Sequence, residues 1–170
     1  MGAEELKTRE AELAGMFEQY YDKIARYAYV HIGDRMAAED IAGEVFLKAL
    51  EALPSYHERG LPMSAWLFRI AHNLVVDHLR QRERHGSAPL DEANLPLDAS
   101  PAALAESRIE MARVKEAMQR LSPAQQEVVR LRFLAELSSK EVAAVMGKSD
   151  GAVREMQSAA IARLRQLLVE

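Results

Sequence analysis

Four polar side chains, Arg69, Asn73, Arg80 and Arg84, follow one another at spacings of four, seven and four. At about 100° per residue they fall within one arc of a helix, with Trp66 and His72 on its flanks. Guanidinium groups neutralise phosphates, a carboxamide matches the hydrogen-bonding edge of a base, and an indole stacks on an unpaired one. That chemistry suits a single nucleic-acid strand. The same residues also fit a packed tryptophan beneath solvated arginines. Further upstream, Asp40 and Glu44 stand one helical turn apart, with Lys48 a turn later. Carboxylates so spaced can dock against a partner's arginines, or simply line an exposed helix.

Near the end of the chain, Leu121 to Phe133 and then Gly147 to Arg154 spell a helix, a glycine turn and a second helix. That arrangement delivers a helix end into a DNA major groove. Enzyme chemistry is not expected, because no HExxH, P-loop or nucleophile-elbow motif occurs. His72, Asp77 and His78 spread too widely around a helix to hold a metal, and the absence of cysteine removes thiolate zinc sites and disulfides. No metal or cofactor is implied.

The elements that must position these groups are all helical. Apolar residues recur at three and four rather than alternating, and strand signals are nearly absent. The pattern predicts helices near Glu4 to Val30, Arg35 to Leu53 and Ser64 to Arg84, with a break at Gly33-Asp34 and a loop from Pro54 to Pro62. On the third helix, Leu67, Ile70, Ala71, Leu74 and His78 make the expected apolar side. Gly86 to Pro101 carries proline, glycine and acid without a helical period, as a flexible linker does. Beyond it a helix near Ala102 to Arg120 precedes three shorter ones starting close to Pro123, Ser139 and Asp150. Ser122 with Gln125, and Ser138 with Glu141, are spaced as capping boxes. The expected fold is therefore all-α, two small helical domains joined by a flexible acidic linker, with residues 1–84, 85–106 and 107–170 as the three parts.

The 170 residues carry a net charge of −4, unusual for a nucleic-acid binder until it is resolved along the chain. Residues 1–60 hold 7 Lys/Arg against 12 Asp/Glu, 61–84 hold 4 against 2, 85–107 hold 0 against 4, and 108–170 hold 11 against 8. Binding to phosphate depends on local basic faces, so the total is a poor guide. No apolar run at the N-terminus reads as a signal peptide or a spanning helix, and a soluble, cytoplasmic protein without membrane insertion is expected.

Three segments, Ala38 to Ala49, Ala65 to Arg80 and Leu121 to Arg154, resemble in order and spacing the small extracytoplasmic-function (ECF) sigma factors of bacterial RNA polymerase. The resemblance covers about residues 14–168. It implies that Asp40, Glu44 and Lys48 lie in region 2.2 and contact the core polymerase. It implies that Trp66, Arg69, His72, Asn73, Arg80 and Arg84 lie in regions 2.3 and 2.4, which melt promoter DNA and hold the non-template strand of the −10 element. A flipped base would enter a pocket formed by the loop from Pro54 to Met63 and by Asn73. The linker would run toward the RNA exit path, its acids mimicking RNA phosphates. The last domain resembles region 4, so Lys148, Ser149, Arg154, Gln157 and Ser158 would read the −35 element, and the domain would contact the polymerase flap. An anti-sigma protein is a further implied partner.

Two departures from the family pattern stand out. Ala159 replaces a usual basic residue beside Ser158, with Glu155 adding a charge that phosphates repel, and Gly43 stands where glutamine is common. Val153, Met156, Ala160, Leu164 and Leu167 form the expected buried stripe of the recognition helix, with Asp150 facing outward. A two-domain helix-turn-helix regulator independent of core polymerase is the alternative reading. It would devote its first half to a ligand pocket or a dimer interface.

Overall fold

A computed structural model of the chain describes residues 2–58, 61–86 and 101–169. Seven α-helices are found among them: α1 (Ala3–Ile32), α2 (Arg35–Ala52), α3 (Met63–His85), α4 (Pro101–Gln119), α5 (Pro123–Val129), α6 (Ser139–Met146) and α7 (Asp150–Val169). No strand occurs among the described residues.

The breaks follow from local chemistry. Gly33 ends α1 in the left-handed region, φ 70°, donating its N–H to the Tyr29 carbonyl, and the Asp34 side chain then caps α2 by accepting from the Ala37 N–H. Both capping boxes form, Ser122 with Gln125 at α5 and Ser138 with Glu141 at α6. Immediately after α5 the chain widens into a single π turn, Arg130–Leu134, which the periodicity did not predict. Glu136 follows with φ 58°, and its carboxylate lies 3.3 Å from Lys23 Nζ on α1.

Helices α1 to α3 form a bundle around Ile24, Tyr27, Ala28, Ile41, Val45, Leu67 and Phe68. Edge-on contacts of Phe68 with Tyr20 and Tyr27 lock α3 against α1. The buried stripe of α3 is consequently Leu67, Phe68, Ala71 and Val75. Of the expected apolar side, Ile70, Leu74 and His78 are only half-buried, because the helix is rotated to bring Phe68 and Val75 to α1. The rotation leaves Arg69, Asn73, Arg80 and Arg84 exposed opposite the core.

Helices α5 to α7 form a second, smaller unit around Val128, Leu131, Leu137, Val142 and Val153. Helix α4 packs on α7, with the Arg113 guanidinium donating to the Leu168 carbonyl. Helix α4 begins at Pro101, one residue before the predicted start near Ala102, so residues 101–106, grouped with the linker in the three-part division, form its first turns. Pro101 suits a helix N-terminus, where its missing N–H has no partner to lose. The rest of the linker expectation falls on residues 87–100, outside the described residues.

The two units are packed against each other, and their buried residues form one continuous cluster. Helix α6 lies across α3, and the turn after α5 lies against α1.

Candidate nucleic-acid and partner interfaces

Helix α3 presents its polar face to a groove of about 260 Å³ whose other wall is α6, lined by Arg69, His72, Asn73, Val145, Met146 and Gly147. Arg69 Nη2 donates to the Ala144 carbonyl at 2.5 Å, and Ser64 at the start of α3 donates to Glu141 on α6. Ligand pockets generally enclose about 300–1,000 Å³. The groove between α3 and α6 is thus a shallow one. Arg80 and Arg84, further along α3, are exposed.

Trp66 stands apart from this group. Its ring stacks on Tyr56, centroids 4.5 Å apart and planes at 27°, and Tyr56 in turn donates its hydroxyl to the Leu61 carbonyl and carries the Arg9 guanidinium over its ring. One indole face is thus committed to holding the loop between α2 and α3, and only its remaining surface is open to a base. Residues 59 and 60 of that loop, part of the expected base pocket, lie outside the described residues.

Between the units lies a polar cluster that the sequence did not single out. Glu127 of α5 is turned toward the first unit, its side chain 14% exposed. The Tyr27 hydroxyl donates to Glu127 Oε1 at 2.5 Å. His31 Nε2 sits 3.4 Å from Oε2, near enough to pair electrostatically though off the line of a good hydrogen bond. His72 Nδ1 is 3.1 Å from the Tyr27 oxygen and 3.9 Å from Oε1. Because Tyr27 gives its single proton to the carboxylate, His72 must carry hydrogen on Nδ1 to donate in turn. Arg130 Nη1 closes the group at 3.8 Å from Oε2.

Burial tends to raise the Glu127 carboxyl, but the close approach of His31, the Tyr27 hydrogen bond and the neighbouring His72 outweigh it and hold it below the ordinary glutamate range. Burial, then the Glu127 charge and hydrogen bond, push the Tyr27 hydroxyl far up against the opposing Arg130 charge, so it stays protonated and donating. A carboxyl whose value is lowered on folding stabilises the fold fully above its ordinary range, and that contribution is lost as pH falls through the lowered value. Urea unfolding as a function of pH is expected to show an acid-side fall in stability that Glu127→Gln flattens.

The signal that could have found Glu127 is its register. It stands four residues before buried Leu131, on the inward side of α5. Tyr27 and His31, also four apart, face it from α1.

Helix α2 carries the second candidate surface. Asp40 and Glu44 are exposed, with Lys48 Nζ at 4.0 Å from Glu44. They share their face with Met36, Leu47 and Leu50, exposed by 77%, 63% and 52%. Large apolar side chains so exposed beside carboxylates have the composition of a docking surface. Gly43 lies within the same face, and a Cβ built there would meet nothing within 4 Å. The chain's own packing therefore does not require glycine. Gly43→Ala is expected to stabilise the protein by about 1 kcal/mol through helix propensity, read in urea unfolding.

On the recognition helix α7, Ser149 caps the first turn by accepting from the Ala152 N–H, and Lys148 precedes it, exposed. Arg154 is exposed but paired with Asp150 at 3.0 Å, and Ser158 is exposed. Gln157 is half-buried, its carboxamide oxygen accepting from Arg132 Nε at 3.0 Å. Asp150 is likewise half-buried rather than directed freely outward. Val153 and Ala160 are fully buried as expected, with Met156, Leu164 and Leu167 half-buried. No group of residues among those described could hold a metal ion, and no described helix is long and apolar enough to cross a membrane.

Both units match known family models: residues 16–85 match sigma-70 region 2, and residues 117–166 match sigma-70 region 4. The chain is 37% identical over 169 residues to the ECF RNA polymerase sigma factor BldN of Streptomyces coelicolor, covering 97% of this chain and 64% of that one. It is 34% identical over 154 residues to the ECF RNA polymerase sigma factor SigD of Mycobacterium tuberculosis, covering 86% of this chain and 72% of the relative. Among solved structures, CnrH in complex with the cytosolic domain of CnrY superposes with a TM-score of 0.67 at 25% identity, covering 98% of this chain and 93% of that one. The sigma factor RpoE of Bartonella quintana, solved with the anti-sigma factor NepR, shares the fold at 23% identity and a TM-score of 0.67, covering 92% of this chain and 96% of that one.

The chain belongs to the ECF sigma factor family. A helix-turn-helix regulator unconnected with polymerase is not favoured, since the first half matches region 2.

Proposed function

We propose that this chain is a dissociable promoter-specificity subunit of bacterial RNA polymerase, acting in the cytoplasm and carrying no catalytic chemistry of its own. In this reading the α2 face docks on the core enzyme through Asp40, Glu44 and Lys48, with Met36, Leu47 and Leu50 supplying apolar area. The α3 face then receives the non-template strand of the −10 element. Arg69, Arg80 and Arg84 bind its phosphates, Asn73 reads a base edge, and His72 and the open surface of Trp66 contribute beside them. Capture of an extruded base offsets an unstacking cost of about a few kcal/mol, so melting needs no chemical step. Lys148, Ser149, Arg154 and Ser158 at the start of α7 contact the −35 element. Gln157 is held by Arg132 and reaches DNA only if that bond is exchanged. With so few free cations on α7, −35 binding is weak alone and relies on tethering to the polymerase.

The observation that carries the reading is the order of three surfaces in one chain: an exposed acidic and apolar face, a helix with cations and an amide opposite its core, and a helix-turn-helix. An anti-sigma protein is a further proposed partner, by analogy with the solved complexes of CnrH with CnrY and of RpoE with NepR. The test is reconstitution. Core polymerase plus this chain is expected to initiate at discrete sites on a genomic fragment library, whereas initiation indistinguishable from core alone would end the proposal. Gly43→Ala is expected to weaken retention on immobilised core despite its gain in stability, because the added methyl stands within the docking face.

A further inference from the structure

We propose that Arg9 is a positioning residue for promoter melting: its guanidinium, laid over the Tyr56 ring, fixes the stack in which Trp66 presents its open surface to an unpaired base. The inference rests on the strand-binding role proposed for α3. Arg9 lies ahead of the region 2 match, which begins at residue 16, and it belongs to neither the α2 face nor the α3 arc.

The first observation is its place in the helix. Leu6, Leu13, Met16 and Tyr20 pack on the core from one side of α1, and at about 100° per residue Arg9 falls within their arc. A cation thus occupies a position where the pattern calls for an apolar residue. Its side chain is 17% exposed, and its Nε is buried with no hydrogen-bond acceptor among the described residues. Glu5, its ion-pair partner at 3.9 Å, is largely exposed and adds little. Leucine or methionine would fill the position without stranding a donor. What arginine adds is charge over a ring: its Cζ stands 4.9 Å from the Tyr56 centroid.

The second observation is what that ring carries. Tyr56 is buried, stacks on Trp66 with centroids 4.5 Å apart, and donates its hydroxyl to the Leu61 carbonyl at 2.9 Å. One ring thus joins the first turns of α1, the loop between α2 and α3, and the indole. Burial, then the charges of Glu58 and Glu12, push the Tyr56 hydroxyl up against the opposing Arg9 charge, so it stays protonated and keeps donating. A stacked pair is held only weakly against sliding, and a third group on the same ring removes that freedom. An indole fixed before the strand arrives loses no further ordering entropy when a base docks on it. Arg9 therefore favours melting through Trp66, without itself touching DNA.

Trp66 is the single tryptophan of the chain, so its fluorescence reports the stack directly. In the free chain, Arg9→Met, which keeps length and apolar packing, is expected to enlarge the loosened population about three- to tenfold, read as stronger acrylamide quenching and faster anisotropy decay. With core polymerase and promoter DNA, the same variant should form open complexes about three- to tenfold less, by permanganate reactivity, with retention on core unchanged. Arg9→Lys, which keeps a charge over the ring, should retain most of both.

Circular dichroism and urea unfolding monitor folding. If Arg9→Met loses helix, Arg9→Gln takes its place with the same expectations. Unaltered Trp66 quenching in a folded variant overturns the clamp. A looser Trp66 with normal melting overturns the positioning role, and Asn73→Ala on the same promoter then shows whether the strand-binding reading falls with it. A melting defect in Asn73→Ala spares that reading, whereas normal melting by both variants removes it.

Discussion

Reversing the charge of Asp40 and Glu44 together, to lysine, is expected to lower retention on core RNA polymerase by at least about a hundredfold while leaving urea unfolding nearly unchanged. Neither side chain supports the fold. Both are exposed, and the buried side of α2 consists of Ala38, Ile41, Ala42, Val45, Phe46 and Ala49. Glu44 has only Lys48, at 4.0 Å and i,i+4, an arrangement worth about 0.3–0.5 kcal/mol. Stability should therefore move by no more than roughly 0.5 kcal/mol. At a docked interface the balance differs, since truncating one partner of a buried charge pair costs about 2–5 kcal/mol and each 1.4 kcal/mol is about tenfold. A double variant that unfolds normally and still binds core with unchanged affinity would remove α2 as the docking face.

The second large effect is expected at Asn73. Asn73→Ala should reduce open-complex formation by about ten- to a hundredfold, the value of one base-edge contact of about 1–3 kcal/mol, while closed-complex formation stays within a factor of two or so. Asn73 is exposed on the groove, so alanine removes no buried partner and gains helix propensity. Permanganate reactivity of unpaired thymines separates the two steps. Normal melting by the Asn73→Ala chain would show that some other group receives the extruded base.

Much of this organisation can be read from the order of residues. Helix ends follow from Gly33, Asp34, Ser122 and Ser138, whose effects are local, and the outward position of Arg69, Asn73, Arg80 and Arg84 follows from angular spacing alone. What depends on distant partners is not legible in the same way. The orientation of α3 turned on Phe68 meeting two tyrosines of α1, which no periodicity specifies. Trp66 was read with the strand-binding arc, yet one of its faces belongs to Tyr56, ten residues earlier. Gln157 sits on the outer side of a helical wheel, but Arg132 from the π turn after α5 reaches it.

The closure of the two units was the least legible feature. His31, His72 and Glu127 lie far apart in sequence; His31 and Glu127 each read alone as an ordinary surface residue, and His72 reads as a flank of the strand-binding arc. Only the inward register of Glu127 beside Leu131 hints that a carboxylate needs partners from elsewhere, because a buried charge without them is too costly to keep.

Closure and strand binding meet at the central claim, that the Asn73 side of α3 holds an unpaired DNA strand when the chain is engaged on polymerase. A photocrosslinking amino acid placed at position 73, in a reconstituted complex of core polymerase, this chain and promoter DNA, reads that contact directly. The account predicts an adduct to the non-template strand within the melted region, appearing with melting and absent from the free chain, where the crosslink should go to α6. An adduct to α6 that persists unchanged in a melted promoter complex, with none to DNA, would contradict it.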